Sequence, residues 1–299
     1  MGPNKDCIDI ATELGGIRTL KAARQLFAKK MDKANLAKLS KIKNPDMLKK
    51  IANAIAICEP DSVFIDTGSE DDRQFIRDLA IEKGEEAKLP MEGHTIHFDL
   101  KDEQGRIIDR TYYIYNEGEE VSSLALKKER SEALSDVRGK MTGIMKGMAM
   151  LVGFYNRGPV GAPASNPAVE ITSSTYVMHS ADILYRNVYS DINQEVEKLG
   201  HFYANIHSEG TNRLEDLPNA RVYMDRSHLT TFSCYCTYAG NTLLMKKGNH
   251  RFSVDRSVYV KKGEQIAEHM FITGIEGPGG RITWMVGAAP SGCGKTTSA

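Results

Sequence analysis

The segment from Arg281 to Ala299 concentrates residues suited to handling phosphate. An apolar run, Ile282 to Val286, leads into the small residues Gly287-Ala288-Ala289-Pro290-Ser291-Gly292-Cys293 and then Gly294-Lys295-Thr296. Small residues let successive backbone N–H groups turn inward around phosphate oxygens. A lysine can bridge two phosphates, and the next hydroxyl can reach Mg2+. The strict P-loop pattern carries glycine where Ala289 stands, so this is a variant. Such a loop normally opens a helix, and the sequence stops at Ala299 before one is complete.

Two stretches upstream have chemistry of their own. In Tyr238-Ala239-Gly240-Asn241-Thr242-Leu243-Leu244-Met245-Lys246-Lys247, small residues admit a ligand close to the backbone and two lysines can face an anion. In Ile266-Ala267-Glu268-His269-Met270-Phe271-Ile272 a histidine sits inside an apolar run. Taken singly, His269 reads as a hydrogen-bonded core histidine and the lysines as surface residues. Cys234 and Cys236 would share one side of a strand but lack the second pair of a zinc site.

The elements that must position these residues alternate between helix and strand. Residues 1–60 read as helical: Leu20, Ala23, Phe27 and Met31 share one face, and Asn44-Pro45 is a capping residue before a first-turn proline. Residues 62–66 form a strand. Ser69 and Asp72 then open a helix that turns Phe75, Ile76 and Leu79 inward and closes at Gly84. Strands over 94–100 and 107–115 are expected as a hairpin about 102–105. The three-residue spacing of His94 and His97 has the wrong parity for one strand face, so they are not read as ligands. Further strands are expected at 145–155, 169–172, 220–224, 230–235 and 251–254, with a helix over 176–186. The fold class is α/β, a mixed sheet with flanking helices. A helical segment over 1–50 precedes a substrate- and metal-binding domain over 51–280, and 281–299 opens a nucleotide-binding domain.

With 299 residues, 41% of them hydrophobic and 26% charged, the composition is that of an ordinary globular protein. Thirty-nine basic and thirty-nine acidic side chains cancel, so nothing in the charge calls for nucleic acid or an anionic membrane. No signal sequence or membrane-length apolar run is visible, and five scattered cysteines suit reduced thiols in the cytoplasm.

In order along the chain, Tyr238-Ala239-Gly240-Asn241 with Lys246-Lys247, then Ala267-Glu268-His269-Met270, then Pro290-Ser291-Gly292-Cys293-Gly294-Lys295-Thr296 resemble the GTP-type phosphoenolpyruvate carboxykinases. Gly158-Pro159-Val160-Gly161-Ala162-Pro163 and His207-Ser208 with Gly210 are also similar to that family. The resemblance spans about residues 50–299. It implies interconversion of oxaloacetate and phosphoenolpyruvate plus CO2, with a nucleoside triphosphate, GTP foremost, as phosphoryl donor. It further implies that Lys247 and His269 ligate a catalytic Mn2+, and that Tyr238, Ala239 and Gly240 line the substrate pocket. Ser291 would contact the phosphoryl group. Gly292, Cys293, Gly294, Lys295, Thr296 and Thr297 would wrap the nucleotide phosphates. Within that loop Cys293 matches the family's reactive cysteine, Lys295 bridges the transferring phosphate, and Thr296 binds the nucleotide's Mg2+. The family does not require glycine at the Ala289 position.

Two departures shape the expectation. Aligned on Lys146-Gly147, Met148 stands where the family's carboxylate-holding arginine is expected, which removes a contact worth about 1.5–3 kcal/mol. Arg157, in the loop beyond, is the candidate replacement. The family's third metal ligand and base pocket would lie past Ala299, so the 299-residue chain alone is expected not to turn over. Alternatives are a relative acting on another small acid or using pyrophosphate, and a non-catalytic binding homologue.

Overall fold

The computed structural model describes residues 6–123, 125–243, 248, 250–267 and 270–288. It divides into two units, Met1–Phe252 and Ser253–Ala299.

The first unit opens with four helices, α1 (Ile10–Gly15), α2 (Leu20–Lys30), α3 (Lys33–Ser40) and α4 (Pro45–Cys58). Local chemistry defines α4. The Asn44 side chain accepts from the N–H groups of Asp46 and Met47 at 3.0 and 2.9 Å, and Pro45 presets the first turn. Strand β1 (Ser62–Ile65) leads to α5 (Glu70–Glu82), capped by the Ser69 hydroxyl. There follow β2 (Ala87–Lys88), β3 (Thr95–Ile96), β4 (Thr111–Tyr115), β5 (Leu126–Glu129), α6 (Arg130–Met141), β6 (Ala149–Arg157), β7 (Asn166–Thr172), α7 (Thr175–Leu184), β8 (Arg186–Asn187) and α8 (Ile192–Leu199). Next come β9 (Tyr203–Ser208), β10 (Arg221–Asp225), β11 (Thr230–Cys234), the short α9 (Ala239–Thr242) and α10 (His250–Tyr259).

A nine-stranded mixed sheet runs in the order β1-β6-β7-β9-β11-β10-β4-β5, and β8 also pairs with β6. β7, β9 and β11 are mutually parallel, while β6 and β10 run against them. Alternate residues therefore point to two faces. On the first, Val152, Phe154, Val169, Ile171, Ala204, Ile206 and Phe232 share a core with residues of α1–α4, α6 and α8. On the second, Leu151, Tyr155, Ala168, Tyr203, Val222 and Met224 meet α5, α7, Cys236, Leu243 and Phe252.

Four local expectations differ from the structure. No hairpin joins 94–100 to 107–115. β3 pairs with β2, and β4 lies parallel to β10 and β5, because alternation marks an exposed face without choosing a partner. The strand expected at 251–254 is part of α10. Its Phe252 ring stacks on Tyr203 at 5.9 Å, and the Ser257 hydroxyl donates to the Ser253 carbonyl one turn back. Residues 145–148 form turns before β6 begins at Ala149. Phe75 is 46% exposed and stacks on Phe64 rather than entering the core.

In the second unit, β12 (Met270–Glu276) and β13 (Ile282–Ala288) form an antiparallel hairpin. Gly274 faces Trp284 and Gly287 faces Phe271 in that register, so each aromatic ring covers a position without a side chain. The strand expected before the P-loop is thus β13.

Candidate functional site

The segment leading to Tyr238 begins where β11 stops. Tyr235 has φ 57°, in the left-handed region, and its N–H donates to the Ser208 carbonyl at 2.8 Å. That turn sends Cys234 into the first core and Cys236 into the second, so the two thiols do not share a side. Burial pushes the Cys234 thiol up to about 12, which disfavours the thiolate.

The turn Tyr238-Ala239-Gly240 follows, and a second loop is clamped to it. The buried Glu103 carboxylate accepts from the Thr237 N–H at 2.8 Å, the Thr237 hydroxyl at 3.0 Å and the Asn241 amide at 2.9 Å. Asn241 also donates to the Gly105 carbonyl at 3.0 Å and accepts from the Ile107 N–H at 3.3 Å. The loop through 103–107 therefore lies along the turn, and Arg106 stands against it. A Cβ on Gly240 would come within 2.5 Å of the Tyr238 ring and 3.3 Å of Arg106 Cγ. Gly240 is needed for that close approach.

Arg106 is half-buried, and its Nε has no hydrogen-bond acceptor among the described residues. Burial lowers its pKa, and the nearby Arg251 guanidinium lowers it further. Arg251 lies over the Tyr113 ring at 5.8 Å and donates to the Tyr113 hydroxyl at 3.3 Å. A planar donor fork whose buried Nε has no partner among the described residues, beside a glycine turn and a tyrosine, is suited to a carboxylate.

The other expected residues are placed differently. Arg157 ends β6 opposite Asn166 at the start of β7, whereas the turn follows the other ends of β7, β9 and β11. Arg157 is half-buried, with Nη1 3.3 Å from His250 Nδ1, and desolvation lowers its pKa. The structure therefore does not bring Arg157 to Tyr238–Gly240. Met148 is partly buried and packs against the first core. Lys247, His269, Ser291, Gly292, Cys293, Gly294, Lys295, Thr296 and Thr297 lie outside the described residues. His97 stacks on Tyr176 and bonds through Nδ1 to the Glu85 carbonyl at 2.7 Å.

Side chains of the second sheet face hold the segment that carries the turn. His207 Nε2 donates to the Cys236 carbonyl at 2.9 Å while Nδ1 accepts from the Thr172 hydroxyl at 2.8 Å. Burial depresses this histidine to about 4, which keeps the neutral tautomer these two bonds require. The Ser233 hydroxyl donates to the Asn241 carbonyl at 2.8 Å, and the Asn205 amide to the Thr242 carbonyl at 2.9 Å. Elsewhere, ligand atoms of Asp9, Asp225 and His228 lie within 4.8 Å of one another. Lys50 at 2.7 Å from Asp9 and Arg130 at 2.6 Å from Asp225 already supply the opposing charge, so this is an ion-pair network. No described helix is long and apolar enough to cross a membrane.

Residues 49–258 match the family model of the phosphoenolpyruvate carboxykinase N-terminal domain. Residues 265–299 match that of the phosphoenolpyruvate carboxykinase C-terminal P-loop domain. Similar curated proteins include the phosphoenolpyruvate carboxykinase (GTP) of Thermococcus sibiricus, 37% identical over 278 residues, which is 91% of this chain and 43% of that protein. Those of Thermococcus kodakarensis and Saccharolobus solfataricus are 36% identical over 284 residues and 35% over 261. These matches cover 93% and 87% of this chain, and 44% and 41% of the relatives. The chain thus spans less than half the length of each of these three relatives.

Proposed function

This chain belongs to the GTP-type phosphoenolpyruvate carboxykinase family, and from that premise we propose that it supplies the substrate- and metal-binding part of an enzyme interconverting oxaloacetate and phosphoenolpyruvate plus CO2. GTP is the phosphoryl donor in this reading, and the cytoplasm its compartment. The observation that carries it is the apposition of Arg106 to the Tyr238–Gly240 turn.

Arg106 takes a substrate carboxylate through its guanidinium, a charge-assisted interaction worth about 2–3 kcal/mol. The close approach permitted by Gly240 lets backbone N–H groups and the Tyr238 ring edge border the same substrate. Arg157 has no such turn beside it, so the carboxylate clamp is assigned to Arg106. With Arg106 as the clamp, Met148 no longer calls for a different acid substrate.

Lys247 and His269 offer two nitrogen donors for Mn2+, and the lysine must be neutral to bind it. Bound there, the cation supplies positive charge to the oxygen that becomes negative during decarboxylation. Ser291 contacts the transferred phosphoryl group, and Gly292 to Thr297 wrap the nucleotide phosphates. Among these Lys295 neutralises the transferring phosphate, Cys293 lines the loop, and Thr296 holds the nucleotide's Mg2+.

The test is oxaloacetate decarboxylation with Mn2+ and GTP, ATP or pyrophosphate in turn, by the protein that joins this chain to its nucleotide domain. Activity with GTP is expected, with kcat/KM for oxaloacetate falling about 30–150-fold in Arg106→Ala. Absence of decarboxylation with every donor, or an unchanged kcat/KM in the variant, overturns the reading.

A further inference from the structure

Arg106 and the Tyr238–Gly240 turn come from segments far apart in sequence, and neither segment has much regular structure of its own. Arg106 precedes a three-residue 3-10 turn, Ile108–Arg110, and the substrate turn opens the four-residue α9. Something outside local secondary structure must hold the guanidinium in register with the turn.

We infer that Glu103 is a positioning residue, locking the Arg106 loop to the Tyr238–Gly240 turn so that both meet a substrate carboxylate as one preorganised unit. This rests on the carboxylate site proposed above and adds to it the device that sets its geometry. Glu103 is only 3% exposed, three residues before the arginine. Both its oxygens are engaged on the far side of the site, one by the Thr237 N–H and hydroxyl and the other by the Asn241 amide. Asn241 returns the connection to the first loop through Gly105 and Ile107, on either side of Arg106. The result is a closed ring of hydrogen bonds, Glu103 to Asn241 to the backbone of 105–107, with Arg106 inside it.

The chemistry of the ring requires a carboxylate at position 103. Three neutral donors converge on it, and a carboxylate is the side chain that accepts all of them without offering a donor in return. Glutamine would turn an N–H toward one of these donors, and alanine would leave the buried Thr237 and Asn241 groups unsatisfied. A purely structural role could be filled by a well-packed apolar side chain and would not be coupled to the arginine.

Coupling is therefore the measurement. The 299-residue chain is titrated with oxalate, the smallest dicarboxylate, by NMR, alongside Glu103→Gln, Arg106→Lys and the double variant. Each variant's folded fraction is checked by urea denaturation. Glu103→Gln is expected to weaken oxalate binding about tenfold. In the Arg106→Lys background the same change is expected to cost less than about twofold, because the group it positions is already lost. Equal factors in both backgrounds, or no weakening in Glu103→Gln, overturn the inference while leaving the site intact. Unaltered affinity in Arg106→Lys, or no binding by the unmodified chain, removes the carboxylate site itself and this inference with it. If Glu103→Gln does not fold, Thr237→Val removes one side-chain donor to the same carboxylate. About threefold weakening, again lost in the Arg106→Lys background, is then expected; equal factors in the two backgrounds overturn the inference.

Discussion

The two faces of the central sheet are made by alternate residues of the same strands, yet their buried chemistry differs. On β7, β9 and β11 the first face presents Val169, Ile171, Ala204, Ile206 and Phe232 to the helices. The second presents Glu170, Thr172, Asn205, His207, Thr231 and Ser233, all essentially inaccessible to water. Burying polar groups is unfavourable unless each finds a partner. On this face His207, Ser233 and Asn205 each donate to a carbonyl of the segment from Cys236 to Thr242. The first face holds the fold together through apolar burial. The second gives up some of that burial to seat the turn that carries Tyr238 and Gly240.

The most forceful way to break this division is to excavate the first face. Phe232→Ala should destabilise the first unit by about 4 kcal/mol, the transfer loss of a fully buried ring plus its cavity. Oxalate affinity of the remaining folded molecules should not change. Urea denaturation gives the first quantity and an oxalate titration the second. A parallel fall in affinity would mean that the faces are not separable.

At the edge of the second face a proton takes part in the packing. The Tyr155 hydroxyl lies 3.0 Å from Asp66 Oδ2, 3.0 Å from Asp182 Oδ1 and 3.1 Å from the Met178 sulfur. It has one hydrogen to donate, so one carboxyl must carry a proton for both oxygen contacts to be hydrogen bonds. Burial, then the Asp66 charge, push Asp182 up to about 7. A folded-state pKa raised above 3.8 means that the native state holds the proton more tightly. The resulting stability is complete below pH 3.8 and is lost as pH rises through about 7. Asp182→Asn replaces the protonated acid by an amide that can donate in its place. It should stabilise the protein at pH 8 by on the order of 2–3 kcal/mol and change little at pH 4. Denaturation midpoints at the two pH values measure this, and an equal effect at both would rule out the shared proton.

What was legible in the sequence divides along similar lines. Elements signalled by neighbours could be read, as with Asn44 capping α4, Ser69 capping α5, and the apolar run of β13. The mixed α/β class followed from their alternation. Pairing did not follow, because the residues of β4 would alternate identically in a hairpin or beside β10. For the same reason Arg157 drew attention by its nearness to the Gly158–Pro163 loop, while strand register carries it to the opposite end from the turn. Arg106 had no local mark. Its place depends on Glu103 reaching Thr237 and Asn241, contacts between segments more than a hundred residues apart that no period or spacing encodes. Lys247, His269 and the P-loop residues came from the family resemblance and remain proposals.

A finer test asks whether the second face seats the turn through a neutral histidine. His207 is fully buried and depressed to about 4, against an ordinary value of 6.5. Between those values the unfolded chain binds more protons than the folded one. Stability therefore rises with pH across that window and is lost on acidification. Its slope opposes that of Asp182, so the unmodified protein shows only their balance and a variant is needed to separate them. His207→Gln can keep both bonds, with the amide N–H toward the Cys236 carbonyl and the amide oxygen toward the Thr172 hydroxyl, but it cannot be protonated. The substitution should cost less than about 1 kcal/mol at pH 7 and remove an acid-side loss on the order of 2 kcal/mol between pH 6.5 and 4. Oxalate affinity at pH 7 should change by less than about twofold, since the carbonyl at Cys236 keeps its donor. Midpoints that fall as steeply in the variant as in the unmodified chain would show that His207 does not control the acid slope. Affinity that collapses while stability holds would show that the imidazole ring itself, rather than its N–H, seats the turn.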